Sequence, residues 1–131
     1  SAIEARSVEV LVPAVRQLEG RLRRGTISFV TTGQLFPYVL YTMPVLNQYL
    51  QEMALQVNHA VSDIPDTTIS RFYQPHSWLP HVTLGKTLSK EQMRMAFSVV
   101  QDRFSVFEAQ VTELGLAKVN PHEDVLRFQL L

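Results

Sequence analysis

Cysteine is absent from the 131-residue sequence, which excludes disulfide bonds, thiolate chemistry and cysteine metal sites. No apolar run approaches the roughly 18 residues that a membrane-spanning helix needs. A signal-peptide pattern, with a basic start, an apolar stretch and a small-residue cleavage site, is also missing. Together these absences predict a cytoplasmic protein that does not bind membranes.

Neither sign of charge is in excess, since 12 basic residues balance 12 acidic ones. A net charge of zero argues against a large nonspecific nucleic-acid surface but leaves room for a small basic pocket. Apolar residues make up 46% of the chain, which is typical of ordinary globular proteins. The length predicts one domain with a real core over residues 1–131, and not two.

Apolar residues at helical spacing predict three helices, over residues 8–22, over residues 44–61 and after residue 88. Pro13 either kinks the first turn of the first helix or marks where that helix begins. Gly25 is the expected stop of the same helix. The third helix combines a capping-box start with an apolar stripe, formed by Ser89, Gln92, Met93, Ala96, Phe97 and Val100.

Outside residues 80–84, β-branched and aromatic residues predict strands over residues 26–32, 38–43, 107–118 and 125–131. Residues 62–77 are expected to form one long polar loop, and loops of that length are usually functional or mobile. Strands joined by helical crossovers and closed by a terminal β pair indicate an α+β domain. In such a domain we expect sheets on one side and helices covering the other.

The segment Pro80-His81-Val82-Thr83-Leu84 has the strongest functional signal in the chain. Successive side chains of a strand point to opposite faces, so His81 and Thr83 are expected on one face, about 7 Å apart. Val82 and Leu84 are expected to pack into a core on the other face. An imidazole can move a proton near neutral pH, and a hydroxyl can hold a phosphate or carbonyl oxygen. The pair would make half of an acid–base site, although His-x-Thr on a strand also arises by chance.

The motif lies between Trp78-Leu79-Pro80 and Gly85-Lys86. Motif and setting resemble the two-histidine phosphoesterase superfamily, specifically its 2′-5′ RNA ligase and RNA 2′,3′-cyclic phosphodiesterase branch. Members have two His-x-Thr/Ser motifs, and the second commonly reads Pro-His-(Val/Ile)-Thr-Leu. The likeness runs along most of the chain by pattern and is specific only at residues 80–84. It implies antiparallel sheets that line a cleft, with helices packed on the outside.

The resemblance also implies an activity, namely metal-independent phosphodiester chemistry without a cofactor on RNA ends or nucleotides. The substrate would carry a 2′,3′-cyclic phosphate or a 2′-5′ linkage. In the family one imidazole is the general base for the attacking oxygen, the other is the general acid for the leaving oxygen, and both hydroxyls hold the phosphate. His81 and Thr83 would supply one of these two sets.

The first His-x-Thr/Ser motif of the family is not found in this chain, because no other histidine begins such a triplet. We therefore expect either a family domain that lacks its N-terminal part or a divergent member that never had the first motif. The full-length protein is expected to be an enzyme of the hydrolase or ligase type. The alternative is a catalytically inactive domain that binds a nucleotide, RNA or another protein. A truncated domain would expose a sheet edge or an apolar face and self-associate.

Residues near the motif are candidates for substrate binding. Lys86 and Arg71 either add positive charge toward a phosphate or are nonspecific surface cations. His76 is too close to the motif in the chain to be the opposing catalytic histidine but could contact substrate. His59 is expected on a partly exposed helix face, and His122 in a solvated turn. Loop aromatics either stack on a nucleobase or anchor the loop to the body; they are Phe72, Tyr73 and Trp78.

Overall fold

The computed structural model describes residues 2–131 and shows an α+β protein with antiparallel sheets. Its elements, in chain order, are β1 (Ile3–Glu4), α1 (Val12–Arg16), β2 (Gly25–Leu35), β3 (Val39–Pro44), α2 (Gln48–Ser62), β4 (Thr68–Ile69), β5 (Val82–Gly85), α3 (Lys90–Arg103), β6 (Phe107–Val111), β7 (Glu113–Lys118) and β8 (Glu123–Gln129). Short 3-10 turns cover Val8–Val10 and Arg71–Tyr73. Among the described residues, none of the helices has the length and apolar character needed to cross a membrane.

The chain divides into two compact units. The first contains the residues up to Thr26, then Asn47–Trp78 and Gln110–Leu131, and the second contains Ile27–Leu46 and Leu79–Ala109. Two small sheets, β1-β4 and β7-β8, belong to the first unit. The second unit contains α3 and most of a four-stranded sheet with the order β5-β3-β2-β6.

The first unit is built around a core that the apolar spacing of its N-terminal segment predicts in part. The buried residues of this core are Leu11, Val15, Leu18, Leu22, Val61, Leu126, Phe128 and Leu130. The long helix over residues 8–22 is wrong, because the α-helix covers only Val12–Arg16. Pro13 stands in its first turn, where the missing N–H costs nothing, so the second alternative for this proline is confirmed. Gly20 takes φ +78° beyond the helix, while Gly25 opens β2.

In the other two helices, α2 and α3, the N-terminal capping residues determine where the helix begins. α2 begins at Gln48 rather than at residue 44, because the side chain of Asn47 accepts a hydrogen bond from the backbone N–H of Leu50 at 2.9 Å. The capping box of α3 is confirmed, with Ser89 and Gln92 each bonded to the other's backbone N–H. The apolar stripe of α3 is confirmed as well: Met93 is buried, and its companions Ala96, Phe97 and Val100 are half-buried.

Two strand predictions and one loop prediction need correction. The single strand over residues 107–118 is wrong, because the ladder breaks at Thr112 and its two parts, β6 and β7, join different sheets. The carbonyl of Thr112 accepts a hydrogen bond from Leu130 N–H instead (2.8 Å). The segment over residues 62–77 is not all loop, since it contains β4 and a 3-10 turn. β2 runs on to Leu35, so its turn to β3 is only three residues long.

Candidate active site

The motif segment stands at one edge of the four-stranded sheet of the second unit. β5 pairs antiparallel with β3, and it is the terminal strand in the order β5-β3-β2-β6. Thr83 lies opposite Tyr41 on β3, which in turn lies opposite Gly33 on β2. Residues directly opposite each other in antiparallel strands project from the same face of the sheet. Thr83 and Tyr41 therefore share a face.

Tyr41 also contacts His81. The two rings meet edge to face, with centroids 5.9 Å apart and planes inclined at 68°. Gly33 makes space for the phenol, because a Cβ at that position would lie 2.6 Å from the Tyr41 hydroxyl. His81, Thr83 and Tyr41 together are called the motif face below.

A backbone carbonyl fixes the His81 ring. Its Nδ1 lies 2.8 Å from the carbonyl oxygen of Leu79. A carbonyl only accepts hydrogen bonds, so Nδ1 must be the donor, and in the neutral ring Nε2 then has the free lone pair. The imidazole is half-buried, whereas the Thr83 side chain is exposed. His81 can therefore exchange protons through Nε2 while its other nitrogen holds the ring in place.

The opposite face of the motif strand differs from the sequence prediction. Val82 and Leu84 were expected in a core, but they are 49% and 50% exposed. Thr42, the cross-strand neighbour of Val82, is only 4% exposed and donates its hydroxyl to the Thr31 carbonyl at 2.8 Å. Burial on this face therefore stops one strand short of the edge, because no strand in residues 2–131 continues the sheet beyond β5.

An exposed apolar edge strand invites pairing with another chain. We expect the protein to self-associate as its concentration rises, and Leu84→Lys to shift it toward monomer by placing a charge on this edge. Sedimentation equilibrium measures the shift. Val99→Lys is the matched control, since it adds the same charge at an aliphatic residue that is 56% exposed on α3. A monomeric wild-type protein, or equal effects of both variants, would contradict the expectation.

Five of the candidate substrate-binding residues lie in the first unit. Trp78 Nε1 donates to Gln51 Oε1 at 3.3 Å, and the amide of the same glutamine lies 3.3 Å from Nδ1 of His76. Tyr73 and Trp78 line an apolar cavity of about 230 Å³, together with residues that include Met53, Val57, Val61, Ile69 and Leu114. Arg71 places its guanidinium 4.8 Å above the Phe72 ring, and both side chains are exposed.

The other polar candidates are on the surface. Lys86 belongs to the second unit, is exposed and joins no salt bridge in the described part of the chain. His59 is exposed on α2, and His122 pairs with Asp124 at 3.0 Å in an exposed turn, as expected for both. Across residues 2–131 no group of three histidine or carboxylate side chains is placed to hold a metal ion.

Sequence reasoning missed Tyr41 as a member of the site. Its contact with His81 depends on the register between β3 and β5, which includes an irregularity between Leu40 and Tyr41. A shift of one residue in register moves every side chain of a strand to the other face. The sequence shows only that Tyr41 follows Leu40 in a strand whose side chains alternate between faces. This pattern does not indicate which residue of the neighbouring strand Tyr41 contacts.

Compared with protein-family models and with curated proteins, the sequence matches none. The motif face is therefore the main guide to function. It combines an imidazole with one free nitrogen, an exposed hydroxyl and a phenol ring at the edge of one sheet. Such a set can transfer a proton and donate a hydrogen bond to an oxyanion.

Proposed function

We propose that this protein is a phosphodiesterase of the two-histidine type that acts on RNA ends or nucleotides by metal-independent acid–base catalysis. The observation that supports this best is the hydrogen bond between His81 Nδ1 and the Leu79 carbonyl, which leaves Nε2 to exchange protons. The exposed Thr83 hydroxyl, two residues along, is available to a phosphate oxygen. The Pro-His-Val-Thr-Leu sequence supports the same family and the same roles.

Hydrolysis of a 2′,3′-cyclic phosphate needs two proton transfers. Water attacks phosphorus and loses a proton, one ester P–O bond breaks, and the departing ribose oxygen gains a proton. In this proposal His81 Nε2 performs one of these transfers, as base when neutral or as acid when protonated. Thr83 donates its hydroxyl to a non-bridging phosphate oxygen and so orients the group for in-line attack.

Tyr41 serves in this proposal as a positioning residue. Its edge-to-face contact adds a second restraint on the imidazole, besides the hydrogen bond to the Leu79 carbonyl. A ring held by two contacts loses little freedom when substrate binds, which favours proton transfer in a fixed geometry. The substrate class is therefore one with a compact phosphate that reaches a half-buried imidazole at a sheet edge, as a cyclic phosphate does.

The sequence contains one His-x-Thr motif, and the mechanism uses two imidazoles. We therefore propose that this chain binds the phosphate but turns it over slowly unless a second imidazole is supplied. This same fact favours the alternative function, a catalytically inactive domain that binds a nucleotide or an RNA end. Both functions require binding at the motif face, and only the first requires hydrolysis.

Binding is tested by titrating the protein, in buffer without metal, with a dinucleotide that ends in a 2′,3′-cyclic phosphate. We expect the NMR signals of the His81 imidazole to shift, because phosphate approaches Nε2. Loss of a hydrogen bond to a charged group costs about 1.5–3 kcal/mol, so His81→Ala should weaken binding by at least about tenfold. Thr83→Val, which keeps the shape and removes the hydroxyl, should weaken it by a smaller factor.

His59→Ala is the matched control, since it removes an exposed histidine from α2. Its affinity for the dinucleotide should equal that of the wild-type protein. Equal affinity of the His81→Ala and His59→Ala variants would show that His81 is a bystander and would end the assignment.

A further inference from the structure

Three arginines are concentrated within four residues, Arg21-Leu22-Arg23-Arg24. None of them joins a salt bridge in the part of the chain that the structure describes. All three line a cavity of about 400 Å³ in the first unit. The remaining lining comes mainly from α2 and includes Tyr49, Glu52, Met53 and Gln56.

The backbone of this basic segment is held on two sides. Leu22, only 1% exposed, anchors it in the core, and its carbonyl accepts a hydrogen bond from Leu131 N–H at 3.0 Å. Arg24 N–H donates to the Leu131 carbonyl at 2.8 Å, and Arg24 Nε to the Leu130 carbonyl at 3.2 Å. The terminal nitrogens of Arg24 are left for another acceptor.

Tyr49 holds the segment from the α2 side. Its hydroxyl donates to the carbonyl of Arg23 at 2.8 Å. Gly25 lets the ring lie against the chain, because a Cβ there would overlap the phenol. Burial raises the pKa of Tyr49 above its ordinary value of 10.0, so the phenol remains a neutral donor at physiological pH.

The charges at this cavity do not balance. The lining includes three arginines and one acidic residue, Glu52, whose carboxylate already accepts a hydrogen bond from Gln48 at 2.7 Å. Isolated surface arginines are usually solvated and bind nothing specific. Here the three are grouped on one cavity wall, and their backbone is fixed before any ligand arrives. Guanidinium forks in such an arrangement fit the oxygens of a phosphate.

We propose that this cavity is a binding site for phosphate groups, formed by Arg21, Arg23 and Arg24. The proposal does not depend on the function assigned to the motif face, since none of its residues belongs to that face. The phosphate could belong to a small anion or to the phosphodiester backbone of a nucleic acid. Both present the same oxygens to the arginines.

The test uses the whole chain and two probes without a cyclic phosphate. Inorganic pyrophosphate is titrated by calorimetry, and a single-stranded oligouridylate with a free 3′-hydroxyl by fluorescence anisotropy. Arg21→Gln/Arg23→Gln should weaken binding by at least about tenfold, since two charge-assisted contacts are lost. Arg24 is left unchanged because its Nε supports the fold. Arg6→Gln/Arg103→Gln removes the same charge from exposed arginines outside the cavity and should change affinity little.

Glu52→Gln separates a binding defect from a folding defect. Removing the one carboxylate of the cavity should tighten the binding of the probe, and damage to the fold would not do so. Pyrophosphate binding that depends on the arginines indicates a small-anion site. Binding of the oligonucleotide alone, with a salt slope reduced by about 1.4 in the double variant, indicates a backbone site. Equal losses in the two double variants, or no binding of either probe, would overturn the proposal.

Discussion

A form of this protein that contains a second His-x-Thr/Ser motif is expected to hydrolyse a cyclic-phosphate dinucleotide without metal and to lose about 10²–10⁴-fold of that rate on His81→Ala. The loss is large because only Nε2 of His81 is free for proton transfer, and alanine has no group to replace it. The present 131-residue chain should hydrolyse the same substrate slowly. One imidazole cannot serve as both base and acid in a single step.

The measurement follows release of the 2′- or 3′-monophosphate by chromatography in the presence of a chelator. His59→Ala provides the control for loss of a histidine and should retain the full rate. If the form with a second His-x-Thr/Ser motif is inactive but still binds the dinucleotide through His81, the result would favour a catalytically inactive binding domain over an enzyme. If that form is inactive and His81→Ala does not change its affinity for the dinucleotide, both the enzyme hypothesis and the binding-domain hypothesis would be wrong.

Leu22→Ala is expected to lower the free energy of unfolding by about 2–5 kcal/mol. Leu22 is 1% exposed within the core of the first unit, so its loss leaves a cavity surrounded by side chains that cannot fully close it. Urea unfolding followed by the fluorescence of Trp78, the one tryptophan of the chain, reports on the same unit. The basic segment shares this anchor, so the substitution should weaken the arginine cavity as well.

The matched control for this substitution is Leu131→Ala. It makes the same change in the same unit, at a side chain that is 64% exposed. Its effect should be within about 0.5 kcal/mol of zero. Similar losses for the two variants would mean that burial of Leu22 does not stabilise the unit.

Local signals in the sequence predicted local structure well. The capping box of Ser89 and Gln92 marked the start of α3, because both hydrogen bonds form within four residues. Pro13 allowed two interpretations, and the one confirmed is that it lies where α1 begins, since a proline is tolerated in the first turn of a helix. The α+β class followed from the alternation of such segments, whereas the antiparallel sheets were expected only from the family resemblance at residues 80–84.

Features that depend on distant partners could not be read from the sequence. Val82 and Leu84 look like core residues, yet their exposure depends on β5 being the last strand of its sheet. The break at Thr112 depends on a hydrogen bond from Leu130, which no nearby residue signals. For the candidate site, the sequence identified His81 and Thr83, while the register of β3 decided that Tyr41 would join them.

Because Gly33 has no side chain, the residues that are tolerated at positions 33 and 41 should depend on each other. An added Cβ would lie 2.6 Å from the Tyr41 hydroxyl, so the ring that contacts His81 would have to shift. Substitutions at Gly33 should therefore be harmful in the background of Tyr41 and harmless once residue 41 is small. We therefore expect related chains to change positions 33 and 41 as a pair.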